Sequence, residues 1–97
     1  MAERRYPLSG EIDVVTAPML ESKLLVLANG TSDDLVLDCT DLEFIDSQGI
    51  AVLVRIEGLL ATQGRRFRME NLGGVPRRSI EIVGLAEQLG IVEREPA

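Results

Sequence analysis

Residues 44–53 have the sequence FIDSQGIAVL, in which an apolar pair is followed by a polar tetrapeptide and an apolar run. The pair predicts a brief extended segment. The tetrapeptide predicts the start of a helix, because Asp and Ser side chains accept hydrogen bonds from the free N–H groups of a first helical turn. We expect this helix to reach about Gln63-Gly64, with Ser47 as its N-cap. The stretch therefore indicates a strand that leads directly into a helix.

The residues that precede this stretch predict a first strand and a first helix. Alternation over Tyr6–Ile12 is typical of a strand, and a polar turn follows it. The helix is expected over residues 17–29. Thr16 offers an N-cap hydroxyl, Pro18 lies in the first turn and Gly30 follows the last turn.

Between that helix and residue 44, the nearly continuous apolar run Leu35–Cys39 predicts a central strand that is covered on both faces. The tripeptide Asp41-Leu42-Glu43 is interpreted as a turn. Cys39 is the only cysteine, so a disulfide within the chain is excluded. Its apolar setting indicates a buried structural thiol.

The residues after the second helix predict four further elements. They are an edge strand over Arg65–Glu70 with Phe67 and Met69 turned inward, a helix over Val75–Val83, a helical turn over Leu85–Leu89 and a strand at Ile91-Val92. Strands that alternate with helices require crossover connections. We therefore predict a single α/β domain over residues 1–97, with a small mixed, mainly parallel sheet and about three to four helices.

Composition excludes several classes of protein. The chain has 97 residues, of which 45% are hydrophobic and 27% charged, as expected for one folded domain. A net charge of -6 disfavours direct binding to nucleic acid. The charged N-terminus is followed by no apolar signal region and no apolar stretch approaches the ~20 residues of a membrane span. We expect a cytoplasmic protein without membrane insertion.

The chain offers little of what enzymes use. It contains no histidine, which is the commonest general base and metal ligand. It also has neither a glycine-rich phosphate loop nor acidic or thiol residues spaced as metal ligands. We therefore predict a non-enzymatic protein that needs no cofactor and no metal.

Three segments together resemble one known family. They are residues 44–53, the segment Ser9-Gly10-Glu11-Ile12-Asp13 with Thr16-Ala17-Pro18, and Ile82-Val83-Gly84-Leu85 with Leu89. Their order and spacing resemble those of STAS-domain anti-sigma factor antagonists of bacteria. The resemblance covers nearly the whole chain.

The resemblance implies a phosphorylation switch. The unphosphorylated antagonist would bind an anti-sigma factor that is also a serine kinase, and so release the sigma factor. Phosphorylation of Ser47 would end that binding, and a serine phosphatase would restore it. A second interpretation is a cytoplasmic STAS subunit of a lipid-transport ABC system that binds its ATPase, because such subunits resemble this chain in fold and in the same turn.

The second helix carries a further candidate surface. Ile50 and Val54 lie on a different side from the apolar residues that would face the sheet, so we predict that they form an exposed docking patch with Ala51. Burial of this stripe under another element of the domain is the alternative. Asp13 is interpreted either as a partner contact or as a plain helix-entry residue. The predicted partner-binding residues are Asp13, Asp46, Ser47, Gln48, Gly49, Ile50, Ala51 and Val54.

Two features depart from the family pattern. Gln48 stands where the family commonly has a small residue, and its longer side chain is expected to affect which kinase accepts the site. The chain also begins where the second strand of the family usually lies, which is expected to leave one edge of the sheet bare. The sequence leaves the oligomeric state open, a homodimer included.

Overall fold

The computed structural model describes residues 2–91 and has six regular elements. They are β1 (Glu3–Ile12), α1 (Ala17–Asn29), β2 (Asp34–Ile45), α2 (Ser47–Thr62), β3 (Phe67–Glu70) and α3 (Gly74–Ile82). The three strands form one parallel sheet in the order β1-β2-β3. The predicted α/β fold is confirmed.

All three helices pack against one face of the sheet. Leu35, Leu37 and Cys39 on β2 form one buried cluster with Leu24 of α1 and Ile80 of α3. Residues of α2 join the same cluster. Because β1 connects to β2 and β2 to β3 in the same direction across the sheet, right-handed crossovers place α1 and α2 on the same side.

The helices follow the predicted bounds closely. The prediction of α1 over residues 17–29 is confirmed, and α2 ends one residue before the predicted Gln63. Phe67 and Met69 point inward from β3 as predicted. Leu89 N–H donates to Leu85 O at 2.9 Å, which is the predicted single helical turn.

The predicted last strand is partly described. Ile91 forms one parallel bridge with Met69, and Val92 lies outside the described residues. None of the helices between residues 2 and 91 combines the length and hydrophobicity that a transmembrane span requires.

The interpretation of residues 41–43 as a turn is wrong, because β2 continues through them to Ile45. The register between β1 and β2 shifts twice, between Pro7 and Ser9 and between Gly10 and Glu11, and each shift accommodates an extra residue of β2. Asp41 and Glu43 are exposed, whereas Leu42 between them is buried. The polar residues that suggested a turn therefore lie on the solvent side of a strand.

The face of the sheet opposite the helices is covered by charged side chains. Val36 is 0% exposed, although it lies outside the main cluster. Its neighbours in register are Arg5 on β1 and Arg68 on β3. Arg5 pairs with Glu70 at 2.7 Å, and Arg68 pairs with Glu3 at 2.9 Å, so both ion pairs cross β2. The aliphatic stems of the two arginines account for the burial of Val36. The predicted coverage of β2 on both faces thus comes from helices on one side and from ion pairs on the other.

Candidate functional site

The carboxyl ends of β1 and β2 bring the predicted site residues together. Ile12 and Ile45 are neighbours in register, and Asp46 N–H donates to Ile12 O at 3.0 Å. The residues that follow each strand, Asp13 and Ser47, are therefore held at one edge of the sheet. This edge is the candidate site.

Asp46, and not Ser47, caps α2. The Asp46 backbone is extended, and its Oδ1 accepts from Gln48 N–H at 2.9 Å and from Gly49 N–H at 3.1 Å. The prediction of Ser47 as the N-cap is wrong. An ionised carboxylate accepts these N–H groups more strongly than a hydroxyl does, and it also meets the positive end of the helix dipole.

Ser47 is the first residue of α2, and it is exposed. Within residues 2–91 its hydroxyl makes no hydrogen bond, because Asp46 already serves the first-turn N–H groups. Gln48 beside it is also exposed. The hydroxyl is therefore accessible and has no structural task.

Gly49 sets how closely α2 approaches the sheet. A Cβ atom at this position would lie 2.7 Å from both Ile12 Cγ2 and Ile45 Cγ1. Real Cβ atoms essentially never come that close to other carbon atoms. Glycine is therefore required for Ser47 to stand directly above the ends of β1 and β2.

Asp13 organises the turn that leads into α1. Its Oδ1 accepts from Val15 N–H at 2.9 Å and from Thr16 N–H at 3.0 Å. These N–H groups, that of Thr16 first, lower the pKa of the Asp13 carboxyl below its usual value. The helix-entry role of Asp13 is thus present in the structure, while its contact with a partner stays a prediction.

Thr16 does not cap α1 in the predicted way. Its hydroxyl makes no capping hydrogen bond to α1; it accepts from Asp13 N–H at 2.9 Å and donates to Glu11 O at 3.0 Å. The side chain therefore closes the turn between β1 and α1, because that geometry satisfies the Asp13 N–H and the Glu11 carbonyl together.

The predicted docking patch on α2 is not a solvent-facing stripe. Ile50 is 7% exposed and belongs to the core, and Val54 is half-buried against it. Glu57 lies on the same side of α2 and accepts a hydrogen bond from Gln88 Nε2 at 3.4 Å. The segment after α3 therefore faces this side, and the prediction of an exposed Ile50 is wrong. Partner contact through the half-buried Ala51 and Val54 stays a prediction.

The apolar surface beside Ser47 lies instead on the β1–α1 turn. Val14 is 67% exposed and Val15 is 72% exposed, and both follow Asp13 directly. Phe44, two residues before Asp46, is also partly exposed. The sequence carries a signal for this surface, since two consecutive valines in a tight turn between Asp13 and Thr16 cannot both point inward. Sequence reasoning missed it because it searched the helix for the surface.

No group of three or more potential metal-ligating side chains occurs among residues 2–91. Burial raises the pKa of the Cys39 thiol to about 12, so this thiol stays protonated at neutral pH. The chemistry offered by the site is therefore that of an accessible hydroxyl beside a carboxylate and an apolar turn.

Comparisons with known proteins agree with this geometry. The family model described as the STAS domain matches residues 4–96. The chain is 36% identical over 84 residues to the anti-sigma-B factor antagonist of Bacillus subtilis (strain 168), a match that covers 87% of this chain and 76% of that protein.

Two mycobacterial proteins are also similar. An anti-sigma-F factor antagonist of Mycobacterium tuberculosis is 32% identical over 80% of this chain, and the match spans 63% of that protein. The crystal structure of an anti-sigma factor antagonist from Mycobacterium paratuberculosis superposes with a TM-score of 0.80 at 31% identity, covering 95% of this chain and 78% of the other. With the parallel sheet and the Asp-Ser-x-Gly junction described above, these matches show that the chain belongs to the STAS domain family.

Proposed function

We propose that this chain is an anti-sigma factor antagonist that acts in the cytoplasm as a non-catalytic binding module. In its unphosphorylated form it binds an anti-sigma factor that is also a serine kinase, and the sigma factor is released. Phosphorylation of Ser47 ends the binding, and a serine phosphatase restores it. The names of the similar proteins from Bacillus and Mycobacterium support the antagonist role.

One observation carries the assignment of the switch to Ser47. Its hydroxyl is exposed and free of hydrogen bonds in the described part of the chain, while Asp46 performs the capping that a serine at a helix start often performs. A kinase can therefore modify this hydroxyl without breaking a contact that holds the fold.

The surroundings of Ser47 explain how a phosphate would act on a partner. The exposed Val14 and Val15 form an apolar turn beside Ser47, and such surface favours docking of a protein. A phosphate would add close to two negative charges next to Asp46. A partner seated on the turn would then face a dianion in place of a neutral hydroxyl, and the contact would weaken.

The test combines partner capture with mapping of the modification. The tagged chain is used to co-purify its partner, and the captured kinase is then incubated with the chain and ATP. Phosphate is expected on Ser47, and Ser47→Ala should bind the kinase but accept no phosphate. Ser79→Ala, a serine variant on α3, serves as the matched control and should be phosphorylated like the parent.

Two outcomes would contradict the proposal. Phosphate found only on serines other than Ser47 would remove the switch from this site. Capture of an ABC-transporter ATPase and no kinase would favour the second interpretation of the sequence, in which no phosphorylation cycle is needed.

A further inference from the structure

The outer edge of β1 is unpaired among residues 2–91. Ala2 and Ile12 direct their carbonyl groups to β2, where they accept from Asp34 and Asp46. Because N–H and C=O groups alternate sides along a strand, the even-numbered residues of β1 bond to β2 and the odd-numbered ones face outward. The edge therefore presents donors and acceptors at residues 3, 5, 9 and 11, while Pro7 offers only an acceptor.

A groove runs between this edge and α1. One part has a volume of about 210 Å³, and Leu8 of β1 and Met19 of α1 contribute to its walls. The adjoining part, about 420 Å³, is lined by Tyr6, Val26 and other residues of α1. Met19 and Val26 are largely exposed at the rim. The free edge and the groove together form one surface that an added strand with apolar side chains would fill.

The sequence of β1 matches itself when a second copy pairs with it in the antiparallel sense. If the twofold axis passes through Leu8, Arg5 of each copy lies opposite Glu11 of the other, and both side chains project from the same face. Tyr6 then lies opposite Gly10, an arrangement in which the aromatic ring covers the exposed backbone of glycine. An axis through Pro7 would instead bring Glu3 opposite Glu11, which repel each other.

The existing contacts leave Arg5 free to make the second pair. Glu70 accepts from Arg5 Nη2 alone, and a guanidinium group carries five N–H donors. Glu11 is exposed. Both members of the pair are thus available at the edge.

We propose that the free edge of β1 and the adjoining groove form a homodimer interface, in which two copies of this chain pair antiparallel about Leu8 and build a continuous six-stranded sheet. Met19 lines the same part of the groove as Leu8, so the two α1 helices approach each other near this residue. The surface is separate from Ser47, and the proposal does not depend on the phosphorylation cycle.

The first test is cross-linking of an introduced cysteine. The native Cys39 is buried, and burial raises its pKa to about 12, so it does not compete. Met19→Cys places an exposed thiol close to the twofold axis, and a disulfide-linked dimer is expected under mild oxidation. Ser32→Cys, an exposed position on the loop between α1 and β2, is the control and should stay monomeric on a non-reducing gel.

The second test reverses one charge of the pair. Glu11→Arg places two arginines opposite each other at both ends of the interface, and the dimer dissociation constant should rise at least tenfold, which is about 1.4 kcal/mol. Glu43→Arg makes the same change at an exposed residue of β2 and should leave dimerisation as in the parent. Sedimentation equilibrium of the 97-residue chain measures both constants.

A chain that sediments as a monomer up to about 100 µM would overturn the proposal and would leave the edge to a strand of a different protein. A dimer that ignores Glu11→Arg, or that Met19→Cys fails to cross-link, would show that another surface associates and would overturn it equally.

Discussion

The junction between β2 and α2 divides two tasks between adjacent residues. Asp46 accepts the N–H groups of the first turn, and Ser47 keeps its hydroxyl free. The sequence predicted the junction correctly but assigned the cap to Ser47, because both side chains are common at that position. Only the extended backbone at Asp46 distinguishes the two, and it cannot be read from the sequence.

At Gly49 we expect substitution by alanine to destabilise the protein. The added Cβ would overlap Ile12 and Ile45, and overpacking of this kind costs about 1–3 kcal/mol. Gly58→Ala is the matched control on the same helix, since its Cβ would meet nothing within 4 Å. That variant should gain up to about 1 kcal/mol, because alanine is the better helix former. Urea unfolding measures both; equal effects would refute the close approach at Gly49.

At Asp38 we expect a contribution to stability that depends on pH. Hydrogen bonds from Thr40 and Asn71 lower the pKa of this carboxyl from 3.8 to about 2. Since the folded pKa lies below the unfolded value, the contribution is complete above about pH 4 and is lost as the pH falls through about 2. Asp38→Asn should therefore be less stable than the parent at pH 7 and lose less stability on acidification.

Urea unfolding over this pH range checks the expectation. Asp41→Asn is the control, because the Asp41 carboxylate makes no hydrogen bond within residues 2–91, and it should keep the pH profile of the parent. A parental profile in Asp38→Asn would show that these hydrogen bonds do not set the acid response.

Among the elements, the helices were the more predictable. Periodic leucines with proline near the start and glycine after the end fixed α1 to the residue, because these signals act within a few residues of each other. The continuation of β2 was not predictable, since two bulges accommodate residues that otherwise read as a turn. The cover over Ile50 was missed for a similar reason, because it comes from a segment more than 30 residues away.

The β1–α1 turn is the element that we expect to carry partner binding. Val15→Asn should weaken binding of the anti-sigma factor about tenfold, because it removes an apolar side chain that would be buried in the complex. The exposure of Val15, 72%, implies that stability changes by less than about 0.5 kcal/mol.

Ile82→Asn is the matched control for this variant, since Ile82 is 77% exposed and lies on α3. Its binding should equal that of the parent in a titration calorimeter. Equal losses in both variants would indicate that general surface hydrophobicity, and not the turn, drives association.

At the scale of the whole molecule, we expect phosphorylation of Ser47 to change binding and not folding. The phosphate would sit at the start of α2, where the helix dipole favours negative charge and offsets repulsion by Asp46. Phospho-Ser47, Ser47→Asp and Ser47→Ala should all melt within about 5 °C of the parent, a shift of about 1 kcal/mol. Binding should fall at least tenfold in the first two and persist in Ser47→Ala.

Differential scanning calorimetry and a binding titration on the same samples separate the two mechanisms. Loss of the cooperative transition on phosphorylation would indicate a structural switch. Unchanged affinity in phospho-Ser47 would remove this residue from the switch.

The unequal lengths of the strands have a consequence for local opening. β3 pairs with β2 only over Leu35–Asp38, so beyond Asp38 the strand has β1 as its only strand neighbour among residues 2–91. Amide hydrogens of residues 35–38 should exchange with deuterium only on global unfolding, whereas those of residues 40–45 should exchange through smaller fluctuations. Ser47 follows the segment that opens more readily, so a kinase can draw the serine into its active site while the centre of the sheet stays closed.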